Sequence, residues 1–126
     1  VKIKAVVDFF GPTELTQFYT NPPNPLVPLL LLNVTGTTPA LNPTLYQQSS
    51  PLTFVSNTSS PTIILQGGAD IIVSPSQSTL LRDRLQMLGV AHQFVFYPSG
   101  GHGDWDAATY TDAFNKIEAF IKTYNP

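Results

Sequence analysis

The chain has 126 residues, a net charge of -2 and no cysteine. This length suffices for one modest hydrophobic core, so we predict one layered unit rather than two domains. Six Lys and Arg residues against eight Asp and Glu residues form no basic cluster, which argues against nucleic acid or an anionic membrane surface as a partner. The absence of cysteine excludes disulfides and thiolate metal sites and is compatible with either side of a membrane.

Two parts of the sequence are candidates for hydrophobic targeting or membrane segments, namely its start and its longest apolar run. The chain begins at Val1, without a methionine or a signal-peptide pattern, and enters a predicted strand almost at once, so we expect it to be cut from something longer. Residues 26–32 form the longest apolar run, which contains Pro28 and is far shorter than the roughly 20 residues of a membrane-spanning helix. We therefore expect this run to lie in a core or a lid.

The first predicted element is a strand over residues 5–10, a short apolar run that ends at Gly11 and Pro12. The following segment, residues 13–61, contains eight of the 12 prolines, and proline removes backbone donors and blocks long helices. We predict irregular structure with short helical turns there. Because a connection this long in a compact domain is usually functional, residues 13–61 are interpreted as a lid-like insertion into one domain that spans residues 1–126.

A second buried strand is predicted over residues 62–65, where an apolar run ends at two glycines. A helix follows, since Ser74 can cap it, Pro75 suits its first turn and Gly89 comes directly after its end. Its predicted inner stripe consists of four leucines, Leu80, Leu81, Leu85 and Leu88.

A third strand is predicted over residues 93–97, and the last helix follows it. Seven apolar residues repeat there at helical spacing, namely Tyr110, Ala113, Phe114, Ile117, Phe120, Ile121 and Tyr124. Strand, helix, strand, helix is the pattern of a parallel sheet with right-handed crossovers. The predicted fold class is therefore α/β, with three parallel strands and flanking helices.

Three polar residues follow the three predicted strands. Asp8 lies near the end of the first, Asp70 lies just past the second and His102 follows the third. Loops at the carboxyl ends of parallel strands converge on one edge, so a carboxylate there can hold one imidazole nitrogen and leave the other free as a general base. The residues alone leave open that Asp70 only forms a turn and that His102 is a solvated loop residue.

Other polar residues near this edge have simpler interpretations. Asp8 is expected to be structural or substrate-adjacent rather than catalytic. A metal site of His102, Asp104 and Asp106 is disfavoured because alternate residues of a turn rarely converge, so we expect no metal. Asp104 or Asp106 is expected to cap the last helix, and His92 is expected to be a surface or edge residue.

Three stretches together resemble a known family. "VKIKAVVDFFGPTEL", "SSPLTFVSNTSSPTIILQGGADIIVSPSQSTLLRDRLQMLGVAHQFVFYPSGGHG" and the closing helix are similar to the carboxy-terminal half of an α/β-hydrolase. The most similar branch is the acetyl-esterase and carboxylesterase group related to feruloyl esterases, with prolyl-oligopeptidase-like peptidases as cousins. The resemblance implies that Asp70 is the acid and His102 the base of a Ser-His-Asp triad, with no cofactor. One departure is Gln66, where the family commonly has histidine.

The nucleophile of such a triad is missing from the sequence. The family carries it in a G-x-S-x-G elbow, and no such pentapeptide occurs here; in the family's chain order it would precede Val1. We therefore expect a fragment, inactive alone, of a serine hydrolase that cleaves small-molecule or polysaccharide-linked carboxylic esters through an acyl-enzyme. A prolyl-oligopeptidase-like peptidase and a non-catalytic binding or interaction module remain alternatives.

The same resemblance has a consequence for assembly. The first strand would normally pair with an upstream strand, so its apolar edge is expected to mediate self-association. Few lysines and loops rich in Thr, Asn and Pro lean toward a secreted or periplasmic protein.

Overall fold

A parallel three-stranded sheet forms the centre of the computed structural model, which describes residues 2–126. Its strands are β1 (Val6–Phe9), β2 (Thr62–Gly67) and β3 (His92–Tyr97), in the order β1-β2-β3. Thr62 pairs with Val6 on one side and with His92 on the other, so the carboxyl ends of all three strands lie at the same edge of the sheet. The predicted α/β class with three parallel strands is confirmed.

Helices cover both faces of the sheet, as the buried central strand requires. Every residue of β2 is buried, as expected for a parallel strand between two helical layers. On one face α4 (Pro75–Met87) packs on a cluster formed by Ile64, Leu81, Leu85 and Val90. On the other face α5 (Ala107–Tyr124) completes a larger cluster of Ile63, Leu65, Val95, Trp105, Ala113, Ile117 and Phe120.

The inner stripes of both helices differ in part from the predicted ones. Leu80 is only half-buried, whereas the polar side chains of Gln77 and Ser78 are fully buried on α4. On α5, Phe114 remains 57% exposed although its ring lies 6.2 Å from that of Phe9 in β1. Gln77 and Ser78 can be buried because their side chains have hydrogen-bond partners. Phe114 is exposed because, within the described residues, β1 beside it is the edge strand of the sheet.

The insertion is more regular than predicted. It contains α1 (Leu15–Thr20), α2 (Leu26–Thr35), α3 (Pro43–Gln48) and a 3-10 turn (Pro51–Phe54). The ten-residue α2 tolerates Pro28 because this is its third residue, and the first N–H groups of a helix have no intrahelical partner. A separate apolar cluster holds the insertion together: Phe18, Val27, Leu31, Tyr46 and Val73.

Gln77 ties the insertion to the start of α4. Its Oε1 accepts hydrogen bonds from the backbone N–H groups of Thr13, at 2.9 Å, and Glu14, at 2.8 Å. The hydroxyl of Thr13 donates to the backbone carbonyl of Gln77 at 2.7 Å. The insertion is therefore fastened to the helix that follows the Asp70 loop. Within residues 2–126, helices are too short or too polar to cross a membrane.

The outer side of β1 is open in the described part of the chain. The amides of Val6 and Phe10 donate to carbonyls of Pro61 and Leu65, at 2.8 and 2.9 Å, and because such bonds alternate along a strand, the amides between them include ones that face away from β2. The Val6 side chain is 38% exposed. A groove of about 440 Å³ runs beside this strand, and Asp8 is among its lining residues.

Candidate active site

Asp70 and His102 meet at the carboxyl edge of the sheet. The Nδ1 of His102 lies 2.9 Å from Oδ2 of Asp70. The Asp70 side chain is fully buried, whereas the His102 side chain is 32% exposed. Because a carboxylate only accepts hydrogen bonds, Nδ1 carries the proton, and the exposed ring can present Nε2 as a base.

Four donors fix the carboxylate of Asp70. The backbone N–H groups of Ile72 and Val73 donate to Oδ1 at 2.8 and 2.9 Å. Oδ2 accepts from His102 and, at 3.3 Å, from Nε2 of Gln66. Both oxygens are thus satisfied, and the carboxylate has a single orientation toward the imidazole.

Backbone bonds tie the Asp70 loop to the His102 loop. The amide of Ala69 donates to the carbonyl of Gly100 at 2.9 Å. The approach is so close that a Cβ on Gly67 would lie 2.2 Å from the Gly100 oxygen and 2.4 Å from the Gly101 oxygen. Only glycine fits at position 67, and its absence of a side chain sets the separation of the two loops.

Two aromatic side chains hold the His102 loop from the α5 side. The indole N–H of Trp105 donates to the carbonyl of Gly101 at 2.9 Å. The Tyr110 hydroxyl donates to the carbonyl of Gly103 at 2.6 Å. The imidazole is therefore carried on a loop whose carbonyls are anchored on both sides of position 102.

Phe10 contributes a further contact that the sequence did not indicate. Its φ of 42° lies in the left-handed region, which is costly for a residue with a bulky side chain. In that conformation its ring centroid lies 4.5 Å from that of His102 and 5.5 Å from that of Trp105. Phe10 thus forms an apolar wall against the imidazole.

Asp8 lies at the end of β1 but does not join this pair. Its Oδ1 accepts from the amide of Gly11 at 3.0 Å, and its Oδ2 is buried without a partner in the described part of the chain. Burial raises the pKa of Asp8, and the Gly11 hydrogen bond opposes this shift. These contacts agree with the structural or substrate-adjacent interpretation of this residue.

The remaining polar candidates have structural surroundings. Asp106 caps α5 by accepting from the backbone N–H of Thr109 at 2.7 Å, and this bond lowers the pKa of Asp106. His92 begins β3, and its Nδ1 lies 2.8 Å from the carbonyl of Val90. Across residues 2–126, His, Asp and Glu side chains form no group of three suited to a metal ion.

Serines near the site have other hydrogen-bond partners. Ser74 caps α4, Ser76 contacts Gln17, and Ser78 donates to Gln66. None of these serines is hydrogen-bonded to His102 within the described residues. The structure therefore brings together the predicted acid and base, and the 126 residues contain no nucleophile elbow.

A parallel sheet with helices on both faces and an acid–histidine pair at its carboxyl edge defines the α/β-hydrolase class. The chain is similar to a truncated carbohydrate esterase from gut microbiota, with 25% identity and a TM-score of 0.74 over 95% of this chain and 43% of that one. It is also similar to an acetyl ester-xyloside bifunctional hydrolase from Caldicellulosiruptor lactoaceticus (20% identity, TM-score 0.78, 97% of this chain, 43% of that chain). An acylaminoacyl peptidase from Pyrococcus horikoshii has 19% identity and a TM-score of 0.86 over 97% of this chain and 20% of that chain.

Residues 1–85 match the BD-FAE family. The chain belongs to this family, which confirms the α/β-hydrolase resemblance of the sequence. No curated protein matches the chain. The chain spans 43% of the gut carbohydrate esterase and 20% of the archaeal peptidase, and at 19% identity the likeness to the peptidase shows the fold alone.

Proposed function

We propose that the chain is the carboxy-terminal part of a serine hydrolase whose intact form cleaves carboxylic esters through an acyl-enzyme. The observation that carries this proposal is the 2.9 Å bond between buried Asp70 and partly exposed His102 at the carboxyl edge of the sheet. Membership of the BD-FAE family and the likeness to a carbohydrate esterase favour an ester, including one linked to a polysaccharide, as the substrate.

In this mechanism His102 transfers one proton in each half of the reaction. Its Nε2 takes the proton from a serine hydroxyl as the serine oxygen attacks the ester carbonyl, and then gives the proton to the leaving alcohol as the ester C–O bond breaks. Water then attacks the acyl-serine while Nε2 takes a proton from it, the bond between the acyl carbon and the serine oxygen breaks, and Nε2 returns the proton to the serine oxygen as the carboxylic acid leaves. Asp70 holds the Nδ1–H tautomer and stabilises the imidazolium. The serine lies outside these 126 residues, upstream in the usual chain order of the class.

The insertion is proposed to form a wall or lid that favours an uncharged substrate. No charged residue occurs between Glu14 and Asp70. The α2 helix exposes Leu26, Leu29 and Leu30. Its amino-terminal end is linked to the Asp70 loop, where the side-chain Nδ2 of Asn24 donates to the backbone carbonyl of Ile71 at 2.5 Å. An apolar acyl or alcohol group suits this surface better than a charged one.

The test measures how fast the full-length gene product hydrolyses each of a panel of acyl esters. An acyl-peptide anilide is included as the peptidase substrate. His102→Ala is expected to lower kcat/KM for the preferred ester by roughly 10³-fold or more, because it removes the general base. Faster cleavage of the anilide would favour a peptidase. An unchanged rate of ester hydrolysis in His102→Ala would refute the proposal.

The 126-residue chain by itself provides the matched control for this assay. It is expected to release no stoichiometric burst of p-nitrophenol from p-nitrophenyl acetate, because it has neither the nucleophile nor the oxyanion donors of an elbow. A burst of one equivalent per chain would place a nucleophile within these residues and contradict the assignment.

Self-association through the open edge of β1 is a second proposal, carried by the strand edge that has no partner within residues 2–126 and by the exposed Val6 beside it. Unpaired strand edges recruit further strands. Sedimentation of the 126-residue chain at high micromolar concentration should show dimers, and Val6→Lys should weaken this association about tenfold or more. Val34→Lys changes an exposed valine on α2 and should leave the association unchanged. A purely monomeric chain would overturn this proposal.

A further inference from the structure

A buried polar pair lies directly behind the Asp70–His102 contact. Gln66 and Ser78 are both fully buried, Gln66 in β2 and Ser78 in the first part of α4. The Ser78 hydroxyl donates to Oε1 of Gln66 at 2.6 Å. Nε2 of the same amide lies 3.3 Å from Oδ2 of Asp70, the oxygen that also accepts from His102.

The surroundings permit only one orientation of this amide. Nε2 faces three atoms that can only accept hydrogen bonds: the carbonyl oxygen of Gly67 at 3.0 Å, Oδ2 of Asp70 at 3.3 Å and the carbonyl oxygen of Val73 at 3.4 Å. A reversed amide would place its oxygen against all three acceptors. The hydroxyl of Ser78 complements the observed orientation, because it donates to the amide oxygen.

The same amide spans the loop that carries the acid. Gly67 is the last residue of β2 and Val73 lies near the other end of the loop, so one side chain contacts the backbone on both sides of the loop and the carboxylate between them. The Gln66 amide and His102 donate to the same oxygen, Oδ2 of Asp70, so the hydrogen bond from one affects the strength of the hydrogen bond from the other. Gln66 therefore lies where it contacts both the backbone that positions the carboxylate and the oxygen that binds the imidazole.

We propose that Gln66, held by Ser78, is a positioning residue that sets the geometry and strength of the Asp70–His102 hydrogen bond. Gln66 contacts neither the substrate nor the reacting atoms in the proposed mechanism, and it acts through Asp70. The inference rests on the proposed function for its effect on turnover. Its effect on the hydrogen bond itself can be measured without turnover.

The experiment uses the full-length gene product with Gln66→Met, which keeps the size of the side chain and removes its donor and acceptor. The matched control is Gln77→Met. Gln77 is also a fully buried glutamine, but it binds the insertion rather than Asp70. The first readout is the downfield Nδ1 proton resonance of His102 in the ¹H NMR spectrum, assigned by its loss in His102→Ala.

Gln66→Met is expected to shift this resonance and to lower kcat on the order of tenfold with KM nearly unchanged. Gln77→Met should lower thermal stability without moving the resonance. Ser78→Ala should shift the resonance in the same direction by less, and it should add little in the Gln66→Met background, because the two residues act as a unit. Ser78→Ala also serves if Gln66→Met does not fold.

An unchanged resonance in both Gln66→Met and Ser78→Ala would overturn the positioning role. Equal shifts in Gln66→Met and Gln77→Met would likewise overturn it, since any loss of buried glutamine would then have the same effect. Failure of the proposed function has a different signature. In that case His102→Ala would keep its ester hydrolysis, while the resonance would still respond to Gln66.

Discussion

Asp70 and Asp8 lie at the carboxyl ends of neighbouring strands, yet their surroundings differ sharply. Asp70 accepts hydrogen bonds from four donors. Asp8 accepts from one, the amide of Gly11, and its second oxygen is buried without a partner in the described residues. Within the described residues β2 has a strand on each side, whereas β1 is paired on one side. A position at the carboxyl edge of the sheet therefore does not by itself give a carboxylate its hydrogen-bond partners.

The apolar side chains show the same contrast. Ile63, Ile64 and Leu65 of β2 are completely buried, whereas Val6 beside the open edge is exposed. Phe114 on α5 is exposed as well, although it contacts Phe9. Within these residues, the apolar side chains of β2 next to Asp70 are buried by neighbouring elements. The side of β1 instead leaves apolar surface exposed that suits further packing.

The largest expected effect is the difference in kcat between replacing Asp70 and replacing Asp8. In the full-length gene product, Asp70→Asn should lower kcat for the preferred ester by about 10⁴-fold, since an amide can hold the imidazole in the wrong tautomer. Asp8→Asn should change kcat no more than about threefold, because Asp8 is not bonded to His102. Steady-state kinetics of both variants checks this. Similar losses in both would show that Asp8 belongs to the catalytic machinery.

A second prediction concerns the close contact of Gly67 with the backbone of the His102 loop. Gly67→Ala places a Cβ 2.2 Å from the Gly100 oxygen, so the loops must separate, and we expect a loss of about 3 kcal/mol in the free energy of unfolding. Gly36→Ala is the control, because Gly36 has a φ of 71° and nothing within 4 Å of the added atom. It should cost about 1 kcal/mol from backbone strain alone.

Urea unfolding of both glycine variants measures this difference. Equal losses would mean that the two loops separate freely, and the proposed fixed spacing of acid and base would then be wrong. A loss at Gly67 with an intact Asp70–His102 bond would instead place the strain elsewhere in the sheet.

The smallest expected effect is a pH-dependent gain in stability on replacing Asp8 of β1 by asparagine. Burial raises the pKa of Asp8 above its ordinary value of 3.8, so folding favours the protonated form. The stability that this provides is present below about pH 3.8 and is lost as the pH rises through the raised pKa. Asp8→Asn should therefore be more stable than the unchanged chain at pH 7 and nearly equal to it near pH 3.

Thermal unfolding of the 126-residue chain and of Asp8→Asn across this pH range checks the prediction. Asp106→Asn is the control, because the hydrogen bond to Thr109 lowers the pKa of exposed Asp106. The charged form of Asp106 therefore stabilises the fold, whereas that of Asp8 destabilises it. The loss of stability in Asp106→Asn should appear above pH 3.8 and vanish in acid. A gain for Asp8→Asn that is independent of pH would contradict the assignment to its charge.

Much of this architecture could be predicted from local sequence signals. The strands are apolar runs that end at glycine or proline, α4 starts at Ser74, and α5 shows helical periodicity. The rule that the carboxyl ends of parallel strands meet at one edge allowed a contact between Asp70 and His102 but left it open, and the family resemblance favoured it. The Asp106 cap was recognisable because it precedes an amphipathic helix.

The remaining features depend on contacts between distant parts of the chain. Gln66 and Ser78 are polar residues at positions where periodicity favours apolar ones, and only their mutual hydrogen bond explains their burial. The left-handed Phe10 has no local signature, since its conformation is held by the imidazole and indole rings against it. The length of α2 was underestimated because the effect of Pro28 depends on where the helix begins.

The glycine contact between the two loops also determines how the site can move. Since the carbonyls of Gly100 and Gly101 rest against Gly67, the strand end that bears the acid and the turn that bears the base form one rigid rim. Local opening of the surrounding segments is therefore expected to change the access of solvent to this rim more than the distance between Asp70 and His102.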